Sequence, residues 1–410
     1  MIAVGVDLGK DRHAAAIFDG CGRRLAKTAF HDNSHDGAKR LWEAVEAVSD
    51  GEVRVGMEAT GNCWKPLHDF LVARGAKVSV INPIVSSASM AGDVRGRKTD
   101  KRDAEVIADL VVRGRCHGRV ADAASASPKY LVRQRGALVG MRTMMKNRLR
   151  DLLLDAFPEY PALFNDLFAP LPIALLEKYP GAAALAKARR DAVAKVVAEK
   201  SRGKDAGAEA GRLVSAAKNS IRTAHPPSPA LAKCILSTLR TMADLDRGIA
   251  DLDKAITECE PLEMAASLSK INGAGKLNPM VVAAEFGDLK RFETNPGSGE
   301  KAGMAKRMLA FAGCEPRVRE SGKWKGMLKM SKRGNGHLRQ ALYLMANSIR
   351  QHDPFFKAVY EAKKANGKHH TVALFHVVHK LLEVVCAIHK SGREYSATPP
   401  SPTAIVNLEP

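Results

Sequence analysis

The stretch GDVRGRKTDKRDAEVIADLVVR, residues 92–113, joins two parts that ordinary protein surfaces keep apart. A basic run comes first (Arg95, Arg97, Lys98, Lys101, Arg102), with Asp100 and Asp103 set into it three residues apart. An apolar-periodic helix then begins, carried by Ala104, Val106, Ile107, Leu110 and Val111. Positions three apart share a helix face, so both carboxylates project together among cations. Two carboxylates repel unless something positive lies between them, and a divalent cation meets that need. The lysines and arginines around them would draw in a polyanion. The plainer alternative is an acidic first turn favoured by the helix dipole, with solvated basic neighbours.

Upstream, the chain reads as alternating short strands and helices. IAVGV (2–6) is an apolar strand ending at Asp7. AAAIFD (14–19) and RLAKTAF (24–30) follow as strands joined by the turn-forming GCG at 20–22, which predicts an antiparallel meander. Residues 36–48 carry helical periodicity. VRVGME (53–58) is a buried-type strand ending on Glu58; a helix (64–74) and the strand KVSVIN (77–82) come next. Acidic residues on strands are costly without a compensating cation. Taken singly, each of the four is more often a turn or capping residue. Asp7, Glu58, Asp100 and Asp103 together fit a metal cradle for two-metal phosphodiester chemistry with magnesium.

VGVDLGK, VGMEATG and RKTDKRDA together resemble the RuvC-like N-terminal domain of the DEDD transposases, the bridge-RNA-guided recombinases of one class of bacterial insertion sequence. KTDKRDA is the most specific of the three; VDLGK also occurs in sugar kinases. The resemblance places the four acidic letters on Asp7, Glu58, Asp100 and Asp103, and implies an RNase H-like fold and Mg2+.

The net charge of +20 and pI near 9.7 predict a polyanionic partner, with nucleic acid as the default. Anionic membrane is the rival, but no apolar run is read as approaching the length of a transmembrane helix. The seven cysteines are scattered and never in a CxxC pair, which argues against zinc knuckles and disulfides and for a reducing cytoplasm. Aromatic residues make up 5% of the chain, so base stacking is not expected to dominate recognition.

Past Pro128 the composition turns helical and basic. Residues 131–157 carry an apolar seam through Leu131, Leu138, Met145, Leu149 and Leu152. Residues 231–256 place Ile235, Leu239, Met242, Leu245, Ile249, Leu252 and Ile256 at three- and four-residue steps, a coiled-coil seam. The pattern leaves open whether this seam pairs with 131–157 of the same chain or with a second subunit. Between them, 158–228 reads as Ala-rich helices with a flexible-looking stretch at 201–211. LSKINGAGKLNPMVVAAEFGDLKRF (268–292) has a glycine turn between helices, with backbone amides available to a phosphate as in helix-hairpin-helix binders.

From Arg317 to Arg339 eight Lys or Arg residues face one acid, Glu320. This is a phosphate-binding pattern, expected to use Arg317, Arg319, Lys323, Lys332, Arg333 and Arg339. Within it lies Ser321. A serine is far more often a turn residue than a nucleophile. FAGCEPRVRESG…SKRGNGHLRQAL, however, resembles the C-terminal transposase domain of the same family, whose serine forms a phosphoserine link to DNA. The matching position is Ser321, with Ser331 as rival. Cys314 and Glu315 depart from the family segment at its edge. His376 and His379, three apart on an apolar helix, have no accompanying carboxylate or cysteine cluster and read as core or RNA-facing. The Pro- and Ser-rich tail is expected to be disordered.

The expected architecture is an α/β RNase H-like (RuvC-like) N-terminal domain over 1–125, then an α-helical coiled-coil and linker region over 126–265. A mainly α-helical C-terminal domain over 266–392 and a tail over 393–410 complete it. The resemblance implies a cytoplasmic, nucleoid-associated recombinase acting on donor and target DNA. It also implies a structured non-coding guide RNA, a dimer or tetramer, and a composite centre built from both motif sets. A metal-only junction-resolvase-like nuclease would need the carboxylates but not Ser321, and a non-catalytic scaffold would need neither.

Overall fold

The computed structural model describes residues 1–49, 51–58, 63–81, 99–116, 123–201, 205–260, 262–293, 303–317, 320–321, 324–325, 329–392 and 395. Of 123–126, 317, 320–321, 324–325 and 329 it describes the backbone alone. The chain divides into two compact units, Met1–Ala121 and Asp122–Pro410.

In the first unit the strands are β1 (Ile2–Leu8), β2 (Arg12–Asp19), β3 (Ala29–Asp32), β4 (Val53–Glu58) and β5 (Lys77–Ile81). They form one mixed sheet in the order β3-β2-β1-β4-β5. The β1–β2 and β2–β3 pairs are antiparallel, while β1–β4 and β4–β5 are parallel. The order is compatible with an RNase H-like fold. β1 is central and covered on both faces, which is why its sequence is a continuous apolar run rather than an alternating one. On one face Val4, Val6, Ala15 and Ile17 pack with Leu41 and Val45 of α1 (His35–Glu46) and Leu67 and Leu71 of α2 (Trp64–Val72). On the other face α3 (Asp100–Val112) lies on a floor of small residues, Ala14 and Ala16 against Ala104 and Ala108.

The third strand begins later than the pattern 24–30 suggests. Arg24 makes a single bridge to Phe18, and the ladder resumes only at Ala29. Between them side chains take over: Arg24 pairs with Glu105 of α3 at 2.7 Å, and Thr28 Oγ1 donates to the same carboxylate at 2.9 Å. These tertiary bonds replace strand pairing that a local pattern cannot distinguish.

His13 on β2 and His31 on β3 are cross-strand partners, 3% and 9% exposed. Burial lowers the pKa of both; at His13, hydrogen bonds with Asn33 and Gly9 oppose it, and at His31 the Arg40 and His13 charges add to it while Asp32 opposes. With folded pKa values below the unfolded 6.5, the unfolded chain binds more protons in the window beneath pH 6.5. This contribution to stability is therefore complete above pH 6.5 and is lost as pH falls through the folded values. The first unit should melt several degrees lower at pH 5 than at pH 7.5, followed by Trp42 and Trp64 fluorescence. A His13→Gln, His31→Gln chain should lose most of that slope.

The second unit is helical apart from short strands near its serine motif. α4 (Ala123–Ala156) starts earlier than periodicity suggests and carries Pro128 within it. It pairs with α10 (Pro229–Glu258). Arg135 is bonded to Asp253 and Arg142 to Asp246, so seven residues forward on α4 match seven back on α10: the helices run antiparallel. The 231–256 seam thus finds a partner inside its own chain. Between the two helices in sequence lie α5 (Pro170–Lys178), α6 (Ala182–Ala186), α7 (Arg190–Lys200), α8 (Ala206–Lys218) and α9 (Ile221–Ala224). They enclose a core with Tyr160, Leu175, Leu213 and Ile235. A second core gathers α12 (Leu277–Phe286), α13 (Met304–Ala312), α14 (Gly336–His352), α15 (Pro354–Ala365) and α16 (His370–Ser391). α11 (Glu263–Ser269) precedes α12.

α16 corrects one expectation. At 22 residues, with an 18-residue window of mean hydropathy 1.7, it is long and apolar enough to cross a membrane. Ala373, Leu374, Val377, Val378, Leu381 and Leu382 are nevertheless all buried in the second core. The interspersed histidines, Lys380 and Glu383 break the run of apolar residues.

Candidate active site and nucleic-acid interface

The acidic set is assembled by strand register. Val6 pairs with Met57, so Asp7 and Glu58 occupy the next step on neighbouring parallel strands. Gly5 and Gly56, themselves partners, lie two residues earlier and press on α3. A Cβ on Gly5 would fall 2.1 Å from the Ala104 carbonyl oxygen; one on Gly56 would fall 2.6 Å from Val111 Cγ2. Side chains two apart share a sheet face, so Asp7 and Glu58 also point to the α3 side.

The direction of α3 follows from its first turn. Lys101 Nζ sits over the Phe30 ring at 5.4 Å, and Phe30, Ala14 and Asp7 are successive cross-strand partners. The N-terminus of α3 therefore lies at the level of Asp7. Thr99 caps it, its side chain accepting from Arg102 N. Asp103 is buried at 7% exposure, while Asp100 is exposed. Asp7, Glu58 and Asp103 thus share one face, with Asp100 one turn outward. Among the described residues no three acidic, His or Cys side chains converge closely enough to grip an ion. The positive end of the helix favours the charged carboxylates rather than a cation, but all-oxygen donors on one face nonetheless suit a hard divalent cation that would draw them together. Arg95, Arg97 and Lys98 lie outside the described residues.

The serine motif lies in the second unit. β6 (Pro316–Arg317) pairs with β9 (Lys329–Met330), and β7 (Glu320–Ser321) with β8 (Trp324–Lys325), where Ser321 faces Trp324. Ser321 is therefore the last residue of β7. Arg319 and Lys323 lie outside the described residues, and Arg317 is described by its backbone alone.

The next turn, 331–335, is tightly held. Ser331 N donates to the Glu315 carbonyl at 2.8 Å, and Asn335 N to that of Phe311 at 2.9 Å. Ser331 Oγ accepts from Arg333 N at 3.2 Å, so this hydroxyl shapes the turn. Lys332 adopts a left-handed backbone (φ 53°), and a Cβ on Gly334 would come within 2.5 Å of Gly313 N. Lys332 and Arg333 are exposed. Arg339, expected on phosphate, braces the turn from Nη1, donating to the Ala312 carbonyl at 3.0 Å and to that of Lys332 at 3.4 Å.

Beneath the turn is a residue that the sequence did not mark. Glu285 is fully buried on α12. Arg133 of α4 donates to it from Nε (2.6 Å) and Nη2 (2.9 Å), Asn335 Nδ2 donates at 2.7 Å, and Lys129 Nζ lies 3.5 Å away. Burial works to raise its pKa, but the bonds from Arg133 and Asn335 and the Lys129 charge win and hold it below the usual range. The only sequence signal is one acid closing the apolar run LNPMVVAAEF.

The glycine turn between α11 and α12 packs inward: Ser348 Oγ donates to the Gly273 carbonyl at 2.6 Å, and a Cβ there would strike His352. His376 is half-buried, and its pKa is lowered by burial and by the charges of Lys363, His379 and Lys368. His379 lies 3.9 Å from Glu383.

Two family models match the chain. A DEDD model described as "Transposase" matches residues 4–158, and one described as "Transposase IS116/IS110/IS902 family" matches 265–361. Among similar proteins is the "Insertion element IS116 uncharacterized 44.8 kDa protein" of Streptomyces clavuligerus, 28% identical over 97% of each chain. The "Insertion element IS900 uncharacterized 42 kDa protein" of Mycobacterium paratuberculosis is 28% identical over 95% of this chain and 96% of its own. The "Transposase for insertion sequence element IS1111A" of Coxiella burnetii is 21% identical over 85% and 78%.

Proposed function

Because the chain belongs to the IS116/IS110/IS902 family of DEDD transposases and is a DNA transposase, we propose that it excises and inserts its own insertion element through a serine–DNA covalent intermediate. In this reading Ser321 Oγ attacks the scissile phosphorus; the Oγ–P bond forms, the P–O3′ bond breaks, and the serine proton ends on the departing 3′-hydroxyl. Arg317, Arg319, Lys323, Lys332, Arg333 and Arg339 hold the phosphate and spread its developing charge. Asp7, Glu58, Asp100 and Asp103 would hold magnesium, which supplies Lewis-acid stabilisation to phosphate oxygens. Arg95, Arg97 and Lys98 bind the nucleic-acid backbone beside them. A carboxylate domain (1–125) and a serine domain (266–392), joined by the helical region 126–265, act as one composite centre in a homo-oligomer. A structured non-coding RNA directs it to donor and target DNA in the cytoplasm, and base pairing rather than side chains selects the site.

The observation that carries the carboxylate half is the shared face of Asp7, Glu58 and Asp103, reached through the Val6–Met57 register and the burial of Asp103. The test incubates protein, flanking RNA and labelled donor DNA with magnesium and looks for a covalent band on a denaturing gel. Asp103→Asn should weaken the band by about 10²-fold or more, as should a chelator, and Asp100→Asn somewhat less. Cleavage at full rate in Asp103→Asn would remove the carboxylates from the reaction.

A further inference from the structure

Asn335 is used at both ends of its amide. Its Oδ1 accepts from His337 N and Leu338 N, capping α14, while its Nδ2 donates to Glu285. It closes a turn whose backbone is otherwise unfavourable, with Lys332 left-handed and Gly334 pressed against Gly313. The same Glu285 carboxylate binds Nε and Nη2 of Arg133, leaving Nη1, and the Arg133 side chain remains 43% exposed. Lys129 beside it is 23% exposed. A buried ion pair is often no better for stability than apolar side chains of the same volume, so packing alone does not account for a charge here.

We propose that Glu285 is a positioning residue that aligns two pieces of one phosphate-binding surface: the 331–335 turn with Lys332 and Arg333, and the Lys129–Arg133 pair of α4. This rests on the reading of that turn as a DNA contact, and adds α4 cations to it. Glu285 itself touches no DNA. It acts by fixing the turn through Asn335 and the guanidinium plane of Arg133 through a two-point contact.

The test exchanges donor and acceptor. Asn335→Asp keeps the cap but sets a second carboxylate against Glu285. Adding Glu285→Gln restores the net charge and rebuilds the Asn335-side hydrogen bond with its polarity reversed, but its amide nitrogen then stands where Oε2 accepts from Arg133 Nη2 and faces Lys129 Nζ, so the two-point hold on Arg133 is given up. Full-length protein is titrated with a fluorescent random-sequence DNA duplex over a range of salt, and trypsin cleavage after Lys332 and Arg333 is timed on the same samples. Asn335→Asp should weaken DNA binding about tenfold, the effect of losing one hydrogen bond to a charged group, and speed cleavage at the turn. The double variant should return cleavage at the turn close to the wild-type rate but recover DNA affinity only in part, because Arg133 is no longer held at two points. If Asn335→Asp melts early, Asn335→Ser, which also retains a capping oxygen, should still show the weaker binding at an unchanged melting temperature. Wild-type affinity and turn cleavage in the single variants overturn the proposal, and so does a turn-cleavage defect that Glu285→Gln fails to relieve. Rescue of the turn in the double variant, with no covalent band from the wild-type chain, would sink the serine reading and leave the positioning role standing. A covalent band without rescue does the reverse.

Discussion

Ser321→Ala is expected to leave no protein–DNA covalent band, with strand joining down on the order of 10³-fold or more. Binding of DNA should be nearly unchanged, because the surrounding lysines and arginines provide the phosphate contacts. The rival serine provides the control. Ser331 Oγ accepts from Arg333 N and shapes the turn, so Ser331→Ala should cost about 1 kcal/mol of local stability and keep the covalent band. A band retained in Ser321→Ala and lost in Ser331→Ala would reassign the nucleophile. Magnesium-dependent cleavage without a covalent band in any chain, including wild type, would leave a metal-only nuclease.

Gly5→Ala should be as damaging to the reaction although it touches no reacting atom. The added Cβ would lie 2.1 Å from the Ala104 oxygen and 2.2 Å from Ala108 N, both backbone atoms of α3. Backbone in a packed helix cannot yield as a side chain end can, so α3 must shift bodily from the sheet. Overpacking of this kind costs about 3 kcal/mol or more. The shifted helix carries Asp100 and Asp103 away from Asp7 and Glu58, so both melting temperature and strand joining should fall together. Gly51→Ala supplies the comparison, since nothing lies within 4 Å of its added methyl; it should be neutral. Wild-type activity and stability in Gly5→Ala would show that α3 does not need that contact.

Gly5 also marks a limit of sequence reading. Within IAVGV it looks like one weak residue in an apolar strand, and only the close approach of α3 makes it indispensable. The seam of 231–256 behaves in the same way: its periodicity marks Ile235, Leu239, Met242 and Ile256 as buried, yet the choice of α4 as partner is expressed in the pairs Arg135–Asp253 and Arg142–Asp246, 118 and 104 residues apart. The third strand shows the converse error. RLAKTAF has strand-like spacing, but Arg24 and Thr28 both turn to Glu105.

The sequence by itself determined the strand and helix order of the first unit, the helical character of the second and the family, and it marked the carboxylate and serine motifs as candidates. These are properties of local period, turn chemistry and short motifs, which are complete within a few residues. The tertiary structure alone decided that Asp7, Glu58 and Asp103 share a face with Asp100 outside it, and that Arg339 braces a turn. It alone placed Glu285 at the junction of Arg133 and Asn335, 152 and 50 residues away in the chain. A carboxylate's burial and charge are set by whatever the fold brings against it, and those neighbours are absent from the residues on either side.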